Sequence, residues 1–158
     1  LMTGALNEAF AATSNDFAND STISSDFEGN AGSCSGQNSF PHLAWENLPW
    51  GAKSLVLIVE NATQAVVHLN LSNIDPATLE IAQLSSGASF PSGSVGSNGF
   101  GVSGWTGVCN VAADDNYTFK LYALKSDIPG SISNMSSADF ESSYDSYIID
   151  VSTLTVKY

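Results

Sequence analysis

Apolar residues recur along this chain in runs and alternations of strand length, with a helical rhythm only near its end. Residues 54–60 (SLVLIVE) form a near-continuous apolar run, which predicts a central strand buried on both faces. Residues 66–73 (VVHLNLSN) alternate instead: Val67, Leu69 and Leu71 share one face, and His68, Asn70 and Ser72 the other. Residues 117–124 (YTFKLYAL) place Tyr117, Phe119 and Leu121 together. Residues 10–17 read as an edge strand, 43–50 as an aromatic strand ending in a turn at Pro49 and Gly51, and 147–158 as a closing strand. Ser136 stands three residues before Asp139, a helix-capping spacing. It precedes a short helix with Phe140, Tyr144 and Tyr147 or Ile148 facing inward. Ser/Gly-rich loops, 19–37 and 88–107, separate these elements; a loop as long as the second predicts function or mobility. No repeat and no alternating βαβ pattern is visible, so the chain predicts a mainly β sandwich.

The chain's 158 residues suit one domain, and a hydrophobic content of 43% supplies a core, which argues against disorder. No apolar run approaches the roughly 20 residues of a helical membrane span. The first twelve residues are too short and too acidic for an intact signal peptide, so the expectation is a targeting segment already removed. Four lysines, no arginine and sixteen acids give a net charge of −12. Lysine and arginine supply the phosphate contacts that dominate nucleic-acid affinity, so nucleic acid is excluded as a partner and anionic membrane surfaces are repelled. Yet charged residues are only 13% of the chain, so solubility rests on Ser, Thr, Asn and Gly. That composition points to a secreted or cell-surface protein, the periplasm included. Cys34 and Cys109 leave separate thiols open, but an oxidising setting favours a bridge. Closing so long a loop would contribute about 4–5 kcal/mol in the chain-entropy model. Sequons begin at Asn19, Asn61, Asn70, Asn116 and Asn134, a motif that an Asn/Ser/Thr-rich chain also makes by chance.

Several stretches carry a further pattern. FAATSNDF opens at Phe10, and CSGQNSFPHLAW presents Cys34, Gly36, Asn38, Pro41, Leu43 and Trp45. VVHLNLSNI holds His68, Asn73 and Ile74, GSNGFGVSGWTGVC precedes NYTFKLYAL, and DIPGS precedes the helix. Their order and spacing over residues 10–158 resemble the bacterial-type branch of the phosphatidylethanolamine-binding protein family. The family elements concerned are Phe-x-Leu-Thr-Ser-x-x-Phe, Cys-Asp-Gly-x-Asn-x-Ser-Pro-x-Leu-x-Trp, His-Trp-x-x-x-Asn-Ile and Gly-x-Asn-x-Phe-Gly…Gly-x-x-Gly-Pro-Cys. The resemblance implies an antiparallel two-sheet Greek-key sandwich with one or two short helices near the C-terminus, and leaves residues 1–9 as an arm. It also implies a small anion pocket for phosphate-like head groups, in proteins that act by binding phospholipids, kinases or proteases and not usually by catalysis. His68, Gly107, Tyr117 and the backbone near Cys109 would line that pocket.

The departures bear on the ligand. The family's Asp-Pro-Asp-Ala-Pro loop is Asn61-Ala-Thr-Gln-Ala65 here, and its His-Arg before Tyr117 is Asp115-Asn116. Its Pro-Pro after the cysteine is Asn110-Val111, its second proline before Leu-x-Trp is His42, and a C-terminal Gly-His is Ser146-Tyr147. A carboxylate in place of imidazole and guanidinium repels an anion by about 3 kcal/mol, taking a separation of roughly 5 Å and an effective dielectric of about 20. Backbone amides alone hold an anion weakly. The expected partner is therefore a small neutral ligand or a protein surface. His68 and Tyr117 would make polar contacts, Gly107 would permit close approach, and Asp115 and His42 would stand at the same mouth.

A zinc site of His42, His68 and Asp115 has suitable donors but no supporting spacing, and no metal or cofactor is expected. Asp114-Asp115 lacks EF-hand spacing. Residues 99–104 match G-x-G-x-x-G, yet they neither follow a clear strand nor open a helix. Neither a nucleophile elbow nor a P-loop occurs, so no catalysis is expected. The rival reading is a structural subunit of an extracellular filament or surface layer, in which the 1–9 arm adds a strand to another copy.

Overall fold

The structure is a computed structural model that describes residues 8–109 and 114–158. Residues 1–7 of the expected arm, and the Asn110-Val111 departure, lie outside the described residues. The strands are β1 (Ala11–Thr13), β2 (Ser21–Thr22), β3 (Leu43–Glu46), β4 (Ser54–Asn61), β5 (Val66–Ile74), β6 (Glu80–Ile81), β7 (Ser94–Val95), β8 (Asn116–Leu124) and β9 (Ile148–Lys157). Among the described residues one α-helix, α1 (Ser137–Ser143), precedes β9, and 3-10 turns lie at Ser25–Phe27, Pro76–Thr78 and Asp145–Tyr147. A sheet of order β1-β3-β6 faces a sheet of order β2-β9-β8-β4-β5-β7. This is the mainly β, two-sheet architecture the sequence predicts.

The apolar run of β4 explains the layering. All eight of its residues are buried. Leu55, Leu57 and Val59 point into the main core with Trp45, Leu69, Phe119 and Leu121. Val56 and Ile58 point the other way, into a second core with Tyr122, Ile128, Ile132 and Phe140. Each such side chain stabilises the fold by about 1.5–3 kcal/mol through burial. The second core is roofed by α1. Ser136 Oγ accepts from the Asp139 amide at 3.1 Å, as the capping spacing predicts. Buried Glu60 reaches the first turn of the same helix and accepts both the Ser137 amide, at 3.1 Å, and the Ser137 hydroxyl.

The alternation of β5 resolves into two buried faces, but a register shift beside Val59 and Glu60 breaks it. His68, expected to share a face with Asn70 and Ser72, packs instead against Tyr117 and Trp105 of the main core. Leu69 and Leu71 enter the main core, and the opposite face is covered by irregular chain. Asn70 Oδ1 accepts from the Met135 amide at 2.7 Å, while its Nδ2 donates to the carbonyls of Met135 (3.0 Å) and Leu69 (3.2 Å). Asn73 grips Ile128 from both sides and Gly130 as well. Ser72 Oγ donates to the Ser94 carbonyl at 3.4 Å, beside β7.

Some expectations need correction. The edge strand at 10–17 shrinks to β1, because the chain turns at Ser14: its hydroxyl accepts the Asp16 amide, and Asp16 in turn accepts the His42 amide at 2.7 Å. The 19–37 loop contains β2 and a 3-10 turn. β2 pairs with β9 in parallel at Val156 and Lys157, an exception to the antiparallel expectation, and the contact extends to Thr155, whose carbonyl accepts the Asp20 amide at 2.7 Å. The 88–107 loop is neither featureless nor loose, since it contributes β7 and is hydrogen-bonded along its length. The turn after β3 closes through Ala52 N to Pro49 O at 3.1 Å, with Gly51 at φ 87°.

Replacing Asn70 by Ala strips both backbone groups of Met135 of their partner. We expect a loss on the order of 2–4 kcal/mol, read from the urea midpoint at unchanged slope. A loss below about 0.5 kcal/mol would mean the loop is held by other contacts.

Candidate functional site

The site lies where β4 ends and β8 begins. Asn61 closes β4 as the anchor of a tight turn: its Oδ1 accepts from the amides of Thr63 (3.0 Å) and Gln64 (2.9 Å). Ala65 completes the turn at φ 58°. Asn61 Nδ2 donates to Asp115 Oδ2 at 2.9 Å, so the residues replacing the family's acidic, proline-rich loop hold the new carboxylate in place. Asp115 is buried, and its backbone pairs in both directions with Tyr158. Tyr158 in turn donates its hydroxyl to Glu28 Oε2 at 2.8 Å. Partial burial and the Glu28 carboxylate push its pKa up to about 12. Two carboxylates, Asp115 and Glu28, therefore frame this end of the sandwich.

Tyr117 is fully buried, and its hydroxyl is held by the Cys109 backbone. It donates to the Cys109 carbonyl and accepts the Cys109 amide, each at 3.0 Å. Burial raises its pKa above the usual value for tyrosine. His68 packs edge-on against Tyr117 and Phe100, with ring centroids 5.1 and 5.0 Å away. Its Nδ1 lies 2.7 Å from the Thr106 carbonyl and must donate to it, which leaves Nε2 a lone-pair acceptor in the neutral ring. Desolvation lowers the His68 pKa, opposed by the backbone carbonyls of Thr106 and Gly107. A neutral imidazole in this tautomer offers a hydroxyl an acceptor and offers an anion nothing.

One buried side chain folds the loop above His68. Asn98 Nδ2 donates to the carbonyls of His68 and Gly104 and to Thr106 Oγ1, and its Oδ1 accepts from the amides of Phe100 and Val102. The loop therefore presents Phe100, half of whose surface is exposed, as a cover beside His68. Gly107 permits close approach, but of protein and not of ligand. A Cβ there would collide with the Phe27 carbonyl and come within 2.6 Å of the Gly29 amide. The Gly107 amide donates to Asn38 Oδ1 at 2.7 Å. Cys34 and Cys109 are bonded, with Cα atoms 5.9 Å apart, and tie the 29–34 segment to the end of this loop.

Between these segments lies a cavity of about 520 Å³. Phe100, Val102 and Trp105 supply its apolar wall, and Asn30, Ser33, Asn38 and Thr106 its polar one. Cys109 reaches it, whereas His68 and Tyr117 stand behind Phe100 and the Cys109 backbone.

Of the predicted site residues, His68, Tyr117, Gly107, Asp115 and the cysteines gather here. His42 does not. Its Nδ1 accepts from the Asn15 amide at 3.0 Å and its Nε2 meets Glu80 Oε1 at 2.9 Å, against the smaller sheet, with no partner in common with His68. Among the described residues, no three His, Cys, Asp or Glu side chains are grouped to hold a metal ion. Sequence reasoning missed Asn61, Asn98, Phe100, Glu28 and Tyr158. Asn98 and Phe100 lie in the quoted loop motif and could have been singled out, whereas Glu28 has no such signal. The sequon asparagines Asn61 and Asn70 are buried and engaged, so a glycan at either would require unfolding.

A two-sheet β sandwich with a site built on a glycine-rich loop, a disulfide and a paired strand defines the class, and comparison supplies the family. Residues 13–158 match the family model "Phosphatidylethanolamine-binding protein". A UPF0098 protein of Methanothermobacter thermautotrophicus is 34% identical over 96 residues, covering 58% of this chain and 64% of that protein. UPF0098 protein YbcL of Escherichia coli is 31% identical over 130 residues, covering 75% and 70%. The crystal structure of YbcL, described as a new member of the mammalian PEBP family, superposes with TM-score 0.82 at 24% identity, covering 96% of this chain and 98% of that one. That of the PEBP homologue CT736 from Chlamydia trachomatis gives 0.77 at 25% identity, covering 95% and 97%. The chain belongs to the phosphatidylethanolamine-binding protein family, as a bacterial-type member.

Because the folded pKa of His68 lies below its ordinary value of 6.5, the unfolded chain takes up the proton first. Its contribution to stability is complete above pH 6.5 and is lost as pH falls through the folded pKa. Wild type should therefore lose stability faster than His68→Gln on acidification below pH 6.5, a difference in which His42 cancels. Phe100→Ala should move the His68 midpoint, read from ring-carbon NMR shifts, upward. Parallel pH profiles for wild type and His68→Gln would contradict this account.

The disulfide closes a loop with a sequence separation of 75 residues. Its removal in Cys34→Ser/Cys109→Ser should cost up to about 4–5 kcal/mol, measured by urea unfolding of the oxidised and mutant proteins. A difference below about 1 kcal/mol would show that the 29–34 segment is held without it.

Proposed function

We propose that this domain acts by binding a small uncharged ligand in the cavity beside Cys109, in a secreted or cell-surface setting, and that it performs no catalysis. The observation that carries the reading is the cavity wall, which contains no ionisable side chain in a chain of net charge −12. Its size falls in the range of ordinary ligand pockets, and its mix of aromatic faces, amides and hydroxyls is the usual lining of such pockets. The groups an anion would need are committed elsewhere: His68 Nδ1 to Thr106, and the Tyr117 hydroxyl and the Cys109 amide to each other. Asp115 and Glu28 add negative potential. The disulfide supports an oxidising compartment.

Amide-resolved NMR titration tests the reading with inorganic phosphate, phosphoethanolamine, and a panel of methyl glycosides and polyols. Uncharged members of the panel should perturb the amides of 29–33 and 106–109, and phosphate should produce no saturable change there. Asp115→Asn, which removes the charge and keeps the shape, should raise phosphate affinity by about tenfold. Saturable phosphate binding to the wild type at those amides would overturn the proposal.

A second reading, a self-assembling structural subunit, is favoured by the edge of β9. β2 pairs with β9 at Val156 and Lys157, with Asn19 and Asp20 bonded to Thr155 just before. Among the described residues no strand pairs with the outer side of 149–153, where Ser152 Oγ accepts the Ala12 amide. An open edge of this kind accepts a strand from another copy. Light scattering on the full chain and on a form lacking residues 1–9 separates the readings, and a monomer in both cases sinks the second.

A further inference from the structure

A separate cavity lies under the strap of residues 84–93, and nothing in the reading above uses it. The strap is pinned at both ends. Phe40 and Leu84 exchange backbone hydrogen bonds at 2.8 and 3.0 Å, and the Asp75 amide donates to Ser92 Oγ at 2.8 Å. Its tip turns at 85–88, where the Ala88 amide donates to the Ser85 carbonyl with Gly87 at φ 78°, and Ser86 Oγ accepts from Asn38 Nδ2. Between Leu84 and Phe90 the strap reads Ser-Ser-Gly-Ala-Ser, and these side chains are too small to fill the space they arch over. A cleft of about 400 Å³ is left.

Three aromatic rings wall it. Phe40 and Trp105 are buried members of the main core and meet edge-to-face at 5.2 Å, and Phe90 meets Phe40 edge-to-face at the same distance. Leu84, Val95 and Val102 complete the apolar lining. No lining side chain ionises, although the chain carries sixteen acids. The cleft therefore provides neither a carboxylate for a cation nor a cation for an anion. Its side-chain hydrogen-bonding groups are serine hydroxyls, the Asn38 amide and the Trp105 indole N–H, the last bonded to the Ser39 carbonyl.

We infer that this cleft is a second binding site, for a small uncharged aromatic molecule of one or two rings carrying a hydroxyl. Its ring extends the edge-to-face cluster of Phe40, Phe90 and Trp105 and displaces water from their apolar surface. Its hydroxyl is met by a serine of the strap. The site shares Asn38, Val102 and Trp105 with the cavity beside Cys109, but the far wall of one comes from 84–95 and that of the other from 29–33, so the two can be blocked independently.

The probe is 2-naphthol, added to the oxidised full chain and followed by amide NMR and by naphthol fluorescence. Saturable one-to-one binding is expected, with shifts at 84–95 and at the Trp105 indole N–H, which donates to the Ser39 carbonyl. Raising salt should leave the affinity unchanged. Val95→Trp and Ala88→Trp, two exposed positions on different segments, should each weaken binding about tenfold or more, with circular dichroism confirming the fold. Asn30→Trp, which obstructs the other cavity, should leave it unchanged. Absence of saturation, or indifference to both strap-side substitutions, overturns the inference. So does binding abolished by Asn30→Trp alone, an outcome that would instead support the cavity beside Cys109.

Discussion

Burying β5 on both faces obliges each of its polar side chains to find a partner, and that obligation organises the rest of the structure. An unpaired buried amide or imidazole costs more than its hydrogen bond returns when made. For three of these side chains the partners are backbone groups of segments that are neither helix nor strand. His68 takes the Thr106 carbonyl, Asn70 both backbone groups of Met135, and Asn73 those of Ile128 with the Gly130 carbonyl. Loops that carry few apolar side chains are thereby fixed against the sheet, and the second core under α1 is closed by the same segments.

The site inherits its character from this arrangement. The loop above His68 is rigid because Asn98 satisfies five groups at once, so Phe100 is presented at a fixed place and shields the imidazole. Shielding in turn lowers the His68 pKa. Substitution of the family's acidic loop by Asn61-Ala-Thr-Gln-Ala65 is coupled to substitution of its His-Arg by Asp115-Asn116, because Asn61 is the donor that the new carboxylate requires. Two changes that look independent along the chain are one hydrogen bond in space. Asp115 and Glu28 frame this end of the sandwich with carboxylates.

Uncharged cavities in a strongly acidic chain follow from where the acids sit. The lining of both cavities comes from segments rich in Ser, Gly and Asn, whose small or neutral side chains neither fill space nor carry charge. Phe40 and Trp105, two of the rings that wall them, belong to the core, so their positions are set by packing against Phe119 and the sheet behind. Rigid apolar walls with short polar rims favour ligands recognised by shape and by hydroxyl groups over ligands recognised by charge.

Periodicity was enough to place β4, β5, β8 and α1, since each buries a face whose spacing follows from backbone geometry alone, and Ser136 caps α1 as its spacing implies. Family motifs brought His68, Gly107, Tyr117, Asp115 and Cys109 to one end of the sandwich. Local sequence could not show that Gly107 makes room for the Phe27–Gly29 backbone, that His42 belongs to Asp16 and Glu80, or that Glu28 stands at the site. Each of those contacts joins residues separated by more than 25 positions. What the sequence by itself determined was which faces must be buried; which loop covers each face, and therefore what the site can bind, was decided only when the tertiary structure paired the polar groups left on them.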